Sequence, residues 1–251
     1  MQNIKEIKLK TVDSTNKYGF DNLNELEDKT VIIAETQYAG KGRQGRKWIS
    51  DDSKNAFVSI VLKPEHCTTN QGYPLTSLTQ YLSVIICEVL EFDYGVKANI
   101  KWPNDILVNG AKICGILCEA KTKGSCIEGI VLGFGVNLNL SQETLEQIDQ
   151  NATSLNMIVN KEIDPENFVE NILSGFFSSY EKFINLGFNF IKEKYVERCN
   201  FIGQVIKIKT DLSIDDYVAE GINDDGTLLV SDKEYNKKKI LSGDVIFVSS
   251  S

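Results

Sequence analysis

The chain has 251 residues, 42% of them hydrophobic and 25% charged, with 35 Asp and Glu against 27 Lys and Arg for a net charge of −8. That length fits one large domain, alone or with a small appendage, and the composition is that of an ordinary globular protein. The acidic balance argues against a nucleic-acid backbone as partner, no apolar run is long enough to span a bilayer, and the N-terminus lacks a signal-peptide pattern, which implies a cytoplasmic protein.

Residues 4 to 12 alternate weakly, as a first strand does. Asp13-Ser14-Thr15-Asn16 follows, a run of small hydrogen-bonding groups ahead of a helix, for which a plain N-cap is a sufficient account. Thr30 to Thr36 is a β-branched run that reads as a buried strand. Directly after it comes Gly40-Lys41-Gly42-Arg43-Gln44-Gly45-Arg46-Lys47-Trp48, which holds two of the chain's three arginines and one of its two tryptophans. Arginine offers a rigid fork of donors suited to a carboxylate or phosphate. Glycine lets backbone N–H groups approach an anion closely. The loop therefore reads as a binder of a small anionic group, against the plainer alternatives of a basic surface loop or a nucleic-acid patch.

Ala56 to Lys63 is another strand. His66, the single histidine, leaves no Ser-His-Asp or Cys-His arrangement unless it serves itself, and it argues against structural zinc. After Pro74, apolar residues from Leu75 to Leu90 recur at helical spacing. Asn99 to Trp102 is short and extended before Pro103. Ile106 to Val108, Asn109-Gly110 and Lys112 to Glu119 form a hairpin with a favoured two-residue turn. Ile127 to Asn137 is a strand that Gly133 and Gly135 are expected to break. Asp164-Pro165-Glu166 starts a helical region reaching about Arg198. From Phe201 onward, short alternating stretches between Asn-Asp-Asp-Gly and Ser-Gly-Asp turns describe a small all-β barrel of about 50 residues. The six cysteines form no C-x-x-C pair, and several sit in apolar runs, so all are read as reduced. There is no internal repeat.

The order Asp13-Ser14-Thr15-Asn16, G-x-G-R-x-G-R-x-W, Lys101-Trp102-Pro103-Asn104-Asp105, Lys112 before Gly115, Gly133 to Asn139, and Ala152-Thr153-Ser154-Leu155 resembles the catalytic module of a biotin–protein ligase. Gly221, Gly226 and Ser242-Gly243-Asp244 resemble the SH3-like domain of that family. The resemblance implies an α+β fold: a mixed β-sheet flanked by helices (class II synthetase-like, the biotin–lipoate ligase catalytic fold) with a small C-terminal SH3-like β-barrel. It divides the chain into a catalytic domain, 1–200, and an SH3-like domain, 201–251.

It also implies a two-step reaction. The carboxylate of biotin attacks the α-phosphate of ATP, and a lysine of a biotin carboxyl carrier protein of a biotin-dependent carboxylase then attacks the adenylate. Ser14, Thr15, Asn16, Gln37, Lys41, Gly42, Arg43, Lys112 and Gly115 are implied to bind biotin. Arg43, Arg46, Trp48, Asn104, Lys112 and Asn137 are implied to bind ATP and the adenylate. Lys112 and Arg43 carry the chemistry, and Asp105 helps hold Mg²⁺. The family usually has arginine where Lys41 stands; a lysine keeps the charge and loses the fork. The early position of the Asp13 motif implies no N-terminal DNA-binding domain and no direct DNA binding. Strand edges of the sheet are open to pairing in a homodimer. The rival readings are a lipoate–protein ligase and a non-catalytic protein that binds biotin or an adenylate.

Overall fold

The computed structural model describes residues 4–49, 55–63, 75–124, 126–210 and 213–247. His66, Cys67, Pro64 and Pro74 lie outside these. Strand β1 (Glu6–Val12) leads through helix α1 (Thr15–Asp21) to β2 (Val31–Gln37), which runs parallel to it. Ser14 caps α1, its hydroxyl accepting from Lys17 N. The two-residue strands β3 (Gly40–Lys41) and β4 (Lys47–Trp48) pair as a separate ribbon around the glycine-rich loop.

Then come β5 (Ala56–Leu62), α2 (Leu75–Tyr94), β6 (Asn99–Lys101), β7 (Asp105–Val108), β8 (Ala111–Lys123) and β9 (Cys126–Val136). The main sheet has the order β1-β2-β5-β9-β8-β7-β6, antiparallel everywhere except β1–β2. The β7–β8 turn uses Asn109 at φ 51° and Gly110 at φ 79°, the positive pair that a two-residue hairpin demands. Short helices α3 (Gln142–Glu146) and α4 (Leu155–Val159) precede the long α5 (Pro165–Leu186) and α6 (Lys192–Glu197). Asp164 caps α5, and Pro165 opens it.

Strand periodicity explains where the core and the cleft lie. On β5, Ala56, Val58, Ile60 and Leu62 join Ile130, Leu132, Phe134 and Val136 of β9 in one cluster with residues of α2 and α5. Tyr81 of α2 stacks on Phe183 of α5 at 4.4 Å between ring centroids. The alternate positions face the other way, where α1 lies. There Val61 and Val131 pack with Leu23 and Ile32.

The strand break expected at Gly133 and Gly135 does not occur; β9 runs through both. The glycines instead clear space, since a Cβ at Gly133 would lie 1.8 Å from Asn16 Oδ1 and one at Gly135 2.8 Å from the Trp48 ring.

The C-terminal strands β10 (Val205–Lys209), β11 (Ile214–Ile222), β12 (Leu228–Ser231), β13 (Lys237–Ile240) and β14 (Asp244–Phe247) form an antiparallel sheet ordered β13-β12-β11-β10-β14. This arrangement is consistent with an SH3-like domain. It docks on the main body where Gly226 O accepts from Gln80 Nε2 at 2.7 Å and from the buried Trp102 Nε1 at 3.1 Å. Cys87, Cys114, Cys118 and Cys199 are free, but Cys126 is disulfide-bonded, which corrects the reading of all six as reduced. Cys126 begins β9 at the open end of the hairpin, away from the core that encloses most of the others. Among the described residues no helix is long and apolar enough to cross a membrane.

Candidate active site

A cleft partly open to solvent lies on the α1 side of the main sheet. One end is neutral and polar. Ser14, Thr15 and Asn16 enter it from the start of α1, Gln37 from the end of β2, and Leu117 and Gly133 from the sheet. Thr15 N donates to Gln37 Oε1 at 2.7 Å. Asn16 Nδ2 donates to Leu117 O at 3.2 Å and to Glu119 Oε2 at 3.0 Å. Ser59, the one hydroxyl in the apolar run of β5, lies 2.6 Å from Asn16 Oδ1 and 2.8 Å from Thr15 Oγ1.

The other end is cationic. Lys41, Arg43, Arg46 and Lys47 come from the glycine-rich loop and Lys112 from the start of β8. Lys112 Nζ sits 2.8 Å from Asp105 Oδ1 and 5.4 Å from the Trp48 ring centroid. Asp105 Oδ1 makes no aligned hydrogen bond among the described residues, and the Lys112 ammonium, with Lys101 nearby, offsets its burial. The backbone of Lys112 is pinned on both sides, accepting from Thr153 N at 2.9 Å and donating to Asn151 O at 2.8 Å. Gly115 is required here, because a Cβ would come within 2.7 Å of Trp48.

Arg43 NH1 donates to Asn104 Oδ1 at 3.1 Å, Gly243 O at 3.3 Å and Asp244 Oδ1 at 3.1 Å. Arg46 NH2 reaches the other oxygen of Asp244 at 2.7 Å. One carboxylate of the C-terminal sheet thus binds both arginines of the loop.

Of the residues singled out from the sequence, Ser14, Thr15, Asn16, Gln37, Lys41, Gly42, Arg43, Arg46, Trp48, Asn104, Lys112 and Gly115 line this one cleft. Asn137 and Asp105 do not line it. Asn137 is buried, with Nδ2 donating to Thr153 O at 3.0 Å, and it orders the segment that pins Lys112. Sequence reasoning passed over Ser59 and Glu119, and it quoted Lys101 and Asp244 in motifs without giving either a role at the site. Burial lowers the Lys101 ammonium pKa, and the nearby Asp105 and Asp244 counter this in part.

Among the described residues no group of three His, Cys, Asp or Glu side chains is placed to hold a metal. Asp105, buried against Lys112 and outside the cleft lining, does not fit a metal held with substrate phosphates in the cleft. Burial pushes the Cys87 and Cys118 thiols up to about 12. Neither is a ready nucleophile, so the cleft is equipped to position and neutralise charge rather than to attack.

The Biotin/lipoate A/B protein ligase family profile matches residues 9–137. The bifunctional ligase/repressor BirA of Bacillus spizizenii is 31% identical over 88% of this chain and 67% of its own length. The biotin–[acetyl-CoA-carboxylase] ligase of Paracoccus denitrificans is 29% identical, covering 88% of this chain and 92% of that protein. The solved structure of the biotin protein ligase from Aquifex aeolicus in complex with biotin and ATP superposes with a TM-score of 0.82 at 28% identity, covering 96% of this chain and 97% of that one. On the family profile, these relatives and the shared fold, the chain belongs to the biotin/lipoate A/B protein ligase family.

Proposed function

We propose that this protein is an ATP-dependent biotin–protein ligase that makes biotinyl-5′-AMP and transfers the biotinyl group to a lysine of a biotin carboxyl carrier protein. The observation that carries this reading is the polarity of the cleft. Neutral donors and acceptors at one end suit an uncharged ureido head. Cations at the other end suit a carboxylate and a phosphate.

In the first step a biotin carboxylate oxygen forms a bond to the α-phosphorus, the bond to the β-phosphate oxygen breaks, and pyrophosphate leaves. Lys112 and Arg43 neutralise the charge that builds on the α-phosphate and so lower the barrier where charge develops. In the second step the carrier's lysine amine attacks the acyl carbon, AMP leaves and the amine loses a proton. Both nucleophiles belong to substrates, so the protein's task is orientation. Ser14, Thr15 and Gln37 hold the head, Lys41 and Gly42 run along the acyl chain, and Arg46, Trp48 and Asn104 border the nucleotide.

We assign residues 1–200 to the catalytic unit and 201–251 to the SH3-like unit. The β1 edge is the place for self-pairing, because Ile100 N of the opposite edge strand already donates to Arg198 O.

The test is ATP–pyrophosphate exchange with biotin, lipoate or no acid. Exchange that depends on biotin is expected. Exchange with lipoate alone would overturn the substrate, and biotin binding without any exchange would favour a sequestering protein.

A further inference from the structure

Behind the cationic wall of the cleft, one carboxylate stands between two ammonium groups. Lys101 of β6 and Asp105 of β7 are directly opposite each other in the strand register, so their side chains share a face of the sheet. Lys112 Nζ lies 2.8 Å from Asp105 Oδ1, and that oxygen makes no aligned hydrogen bond among the described residues. Lys112 lines the cleft, whereas Lys101 and Asp105 do not. The Lys101 ammonium makes no hydrogen bond or ion pair among the described residues and stands 5.9 Å from the Phe247 ring centroid. Asp244, the other carboxylate that acts on Lys101, is already held by Arg43 and Arg46.

Lys112 cannot serve Asp105 and a phosphate in full at once. To neutralise the phosphate it must loosen its hold on the carboxylate. Its backbone is pinned on both sides, so the side chain alone moves. Gly115 leaves that side chain room, since a Cβ there would stand 3.2 Å from Lys112 Cε and 3.3 Å from Nζ. Asp105 would then be a buried charge without a partner, a state costly enough to hold Lys112 back. Lys101 is placed to take over. Strand β6 is fixed by Ile100 N donating to Arg198 O at 2.8 Å and by Trp102 Nε1 donating to Gly226 O at 3.1 Å. Burial lowers the Lys101 pKa, Asp105 opposes that, and Lys112 adds to it. Departure of Lys112 therefore favours the Lys101 ammonium when Asp105 needs one.

We propose that Lys101 is a positioning residue for adenylation: it takes the Asp105 carboxylate over from Lys112 when Lys112 turns to the α-phosphate, so that no buried charge is stranded. This rests on the ligase reading above and deepens the part that Lys112 plays in it. Lys101 does not touch the substrate; it acts through Asp105.

The experiment measures single-turnover formation of biotinyl-5′-AMP, biotin affinity by calorimetry and melting curves. It uses the full chain as wild type, Lys101→Met, Lys101→Arg, Asp105→Asn and the double variant Lys101→Met with Asp105→Asn. Lys101→Met keeps the aliphatic stem and removes the charge. It should slow adenylation at saturating ATP by about 100-fold, the scale of a buried carboxylate left unpaired, with biotin affinity unchanged. Lys101→Arg should return most of the rate, since a guanidinium can also take the carboxylate. Asp105→Asn should keep measurable adenylation, and adding Lys101→Met to it should change the rate by less than about threefold, because no charge remains to strand. That last comparison decides the question if Lys101→Met alone does not fold. A similar loss in both backgrounds, or a loss seen chiefly as a higher Michaelis constant for ATP, would mean that Lys101 meets the substrate directly and would overturn the hand-off. Wild-type rates in Lys101→Met, or no adenylation by Asp105→Asn, would overturn it too. Wild type that makes no adenylate would overturn the ligase reading along with it.

Discussion

Replacing Asp244 by Asn keeps the side chain's shape and removes its charge. Its Oδ1 accepts from Arg43 NH1 at 3.1 Å and its Oδ2 from Arg46 NH2 at 2.7 Å. The Asp244 side chain is 12% exposed and that of Arg43 19%, so this contact is nearly dry, while Arg46 at 49% is half in water. A hydrogen bond to a charged partner in a dry setting contributes about 1.5–3 kcal/mol, and a half-exposed ion pair about 0.2–1 kcal/mol. Asn also turns an N–H₂ toward one of two guanidinium groups, which cannot accept it.

The loss is therefore about 2–4 kcal/mol, or a fall in Tm of roughly 4–15 °C at this chain length. A screened surface pair would lose its effect in concentrated salt, whereas most of this deficit should persist, because Debye screening acts weakly on buried charges. The Michaelis constant for ATP should rise more than that for biotin, since among the described residues the Arg43 side chain then keeps Asn104 and Gly243 O as its uncharged tethers. Scanning calorimetry at low and high salt, with pyrophosphate exchange, checks both. An Asp244→Asn protein that melts within 1 °C of wild type and keeps its ATP dependence would refute the argument that the C-terminal sheet holds the loop.

Gly133→Ala should weaken biotin binding by tenfold or more in calorimetry and destabilise the protein by about 1–3 kcal/mol, as overpacking does; wild-type affinity would mean that α1 can move aside. Lys112→Ala should suppress single-turnover adenylation far more than it weakens biotin binding, and equal losses would reduce Lys112 to a binding role. Arg43→Gly should let the adenylate escape, seen as faster loss of labelled adenylate in rapid filtration, with unchanged retention counting against a phosphate contact. Burial pushes the Asp225 carboxyl up, but bonds from Lys239 and from the Thr227 hydroxyl and amide outweigh this and hold it at about 2. That folded pKa is depressed, so the bonds stabilise the protein above the ordinary carboxylate pKa and are lost as pH falls toward 2. The stability gap between wild type and Asp225→Asn, read from melts at several pH values, should therefore close between about pH 4 and pH 2.

How far the sequence could be read depended on whether a signal was local. The apolar spacing of α2 and the Asn109-Gly110 turn are set within a few residues, and both elements form as expected. Arg43 and Arg46 between glycines suggested an anion-binding loop, because guanidinium geometry and glycine freedom are properties of the residues themselves, and both arginines line the cleft.

What stands opposite a residue is not local. Gly133 and Gly135 carry the same signal whether they end a strand or clear it, and the decision lies with Asn16 and Trp48, far away in sequence. The Arg43 partner Asp244 lies 201 positions downstream, in what reads as an ordinary Ser-Gly-Asp turn. Ser59 is the intermediate case. A single hydroxyl at an inward-facing position of an otherwise apolar strand is costly unless it is bonded, so its place in A-F-V-S-I-V-L already called for a buried partner. Periodicity can tell that such a partner exists and on which face it lies, but naming it as Asn16 needs the register of α1 against β5 and β9. The same holds for Glu119, whose position on β8 puts it on the Leu117 face of the strand and whose acceptor role appears only once Asn16 is seen to donate to it.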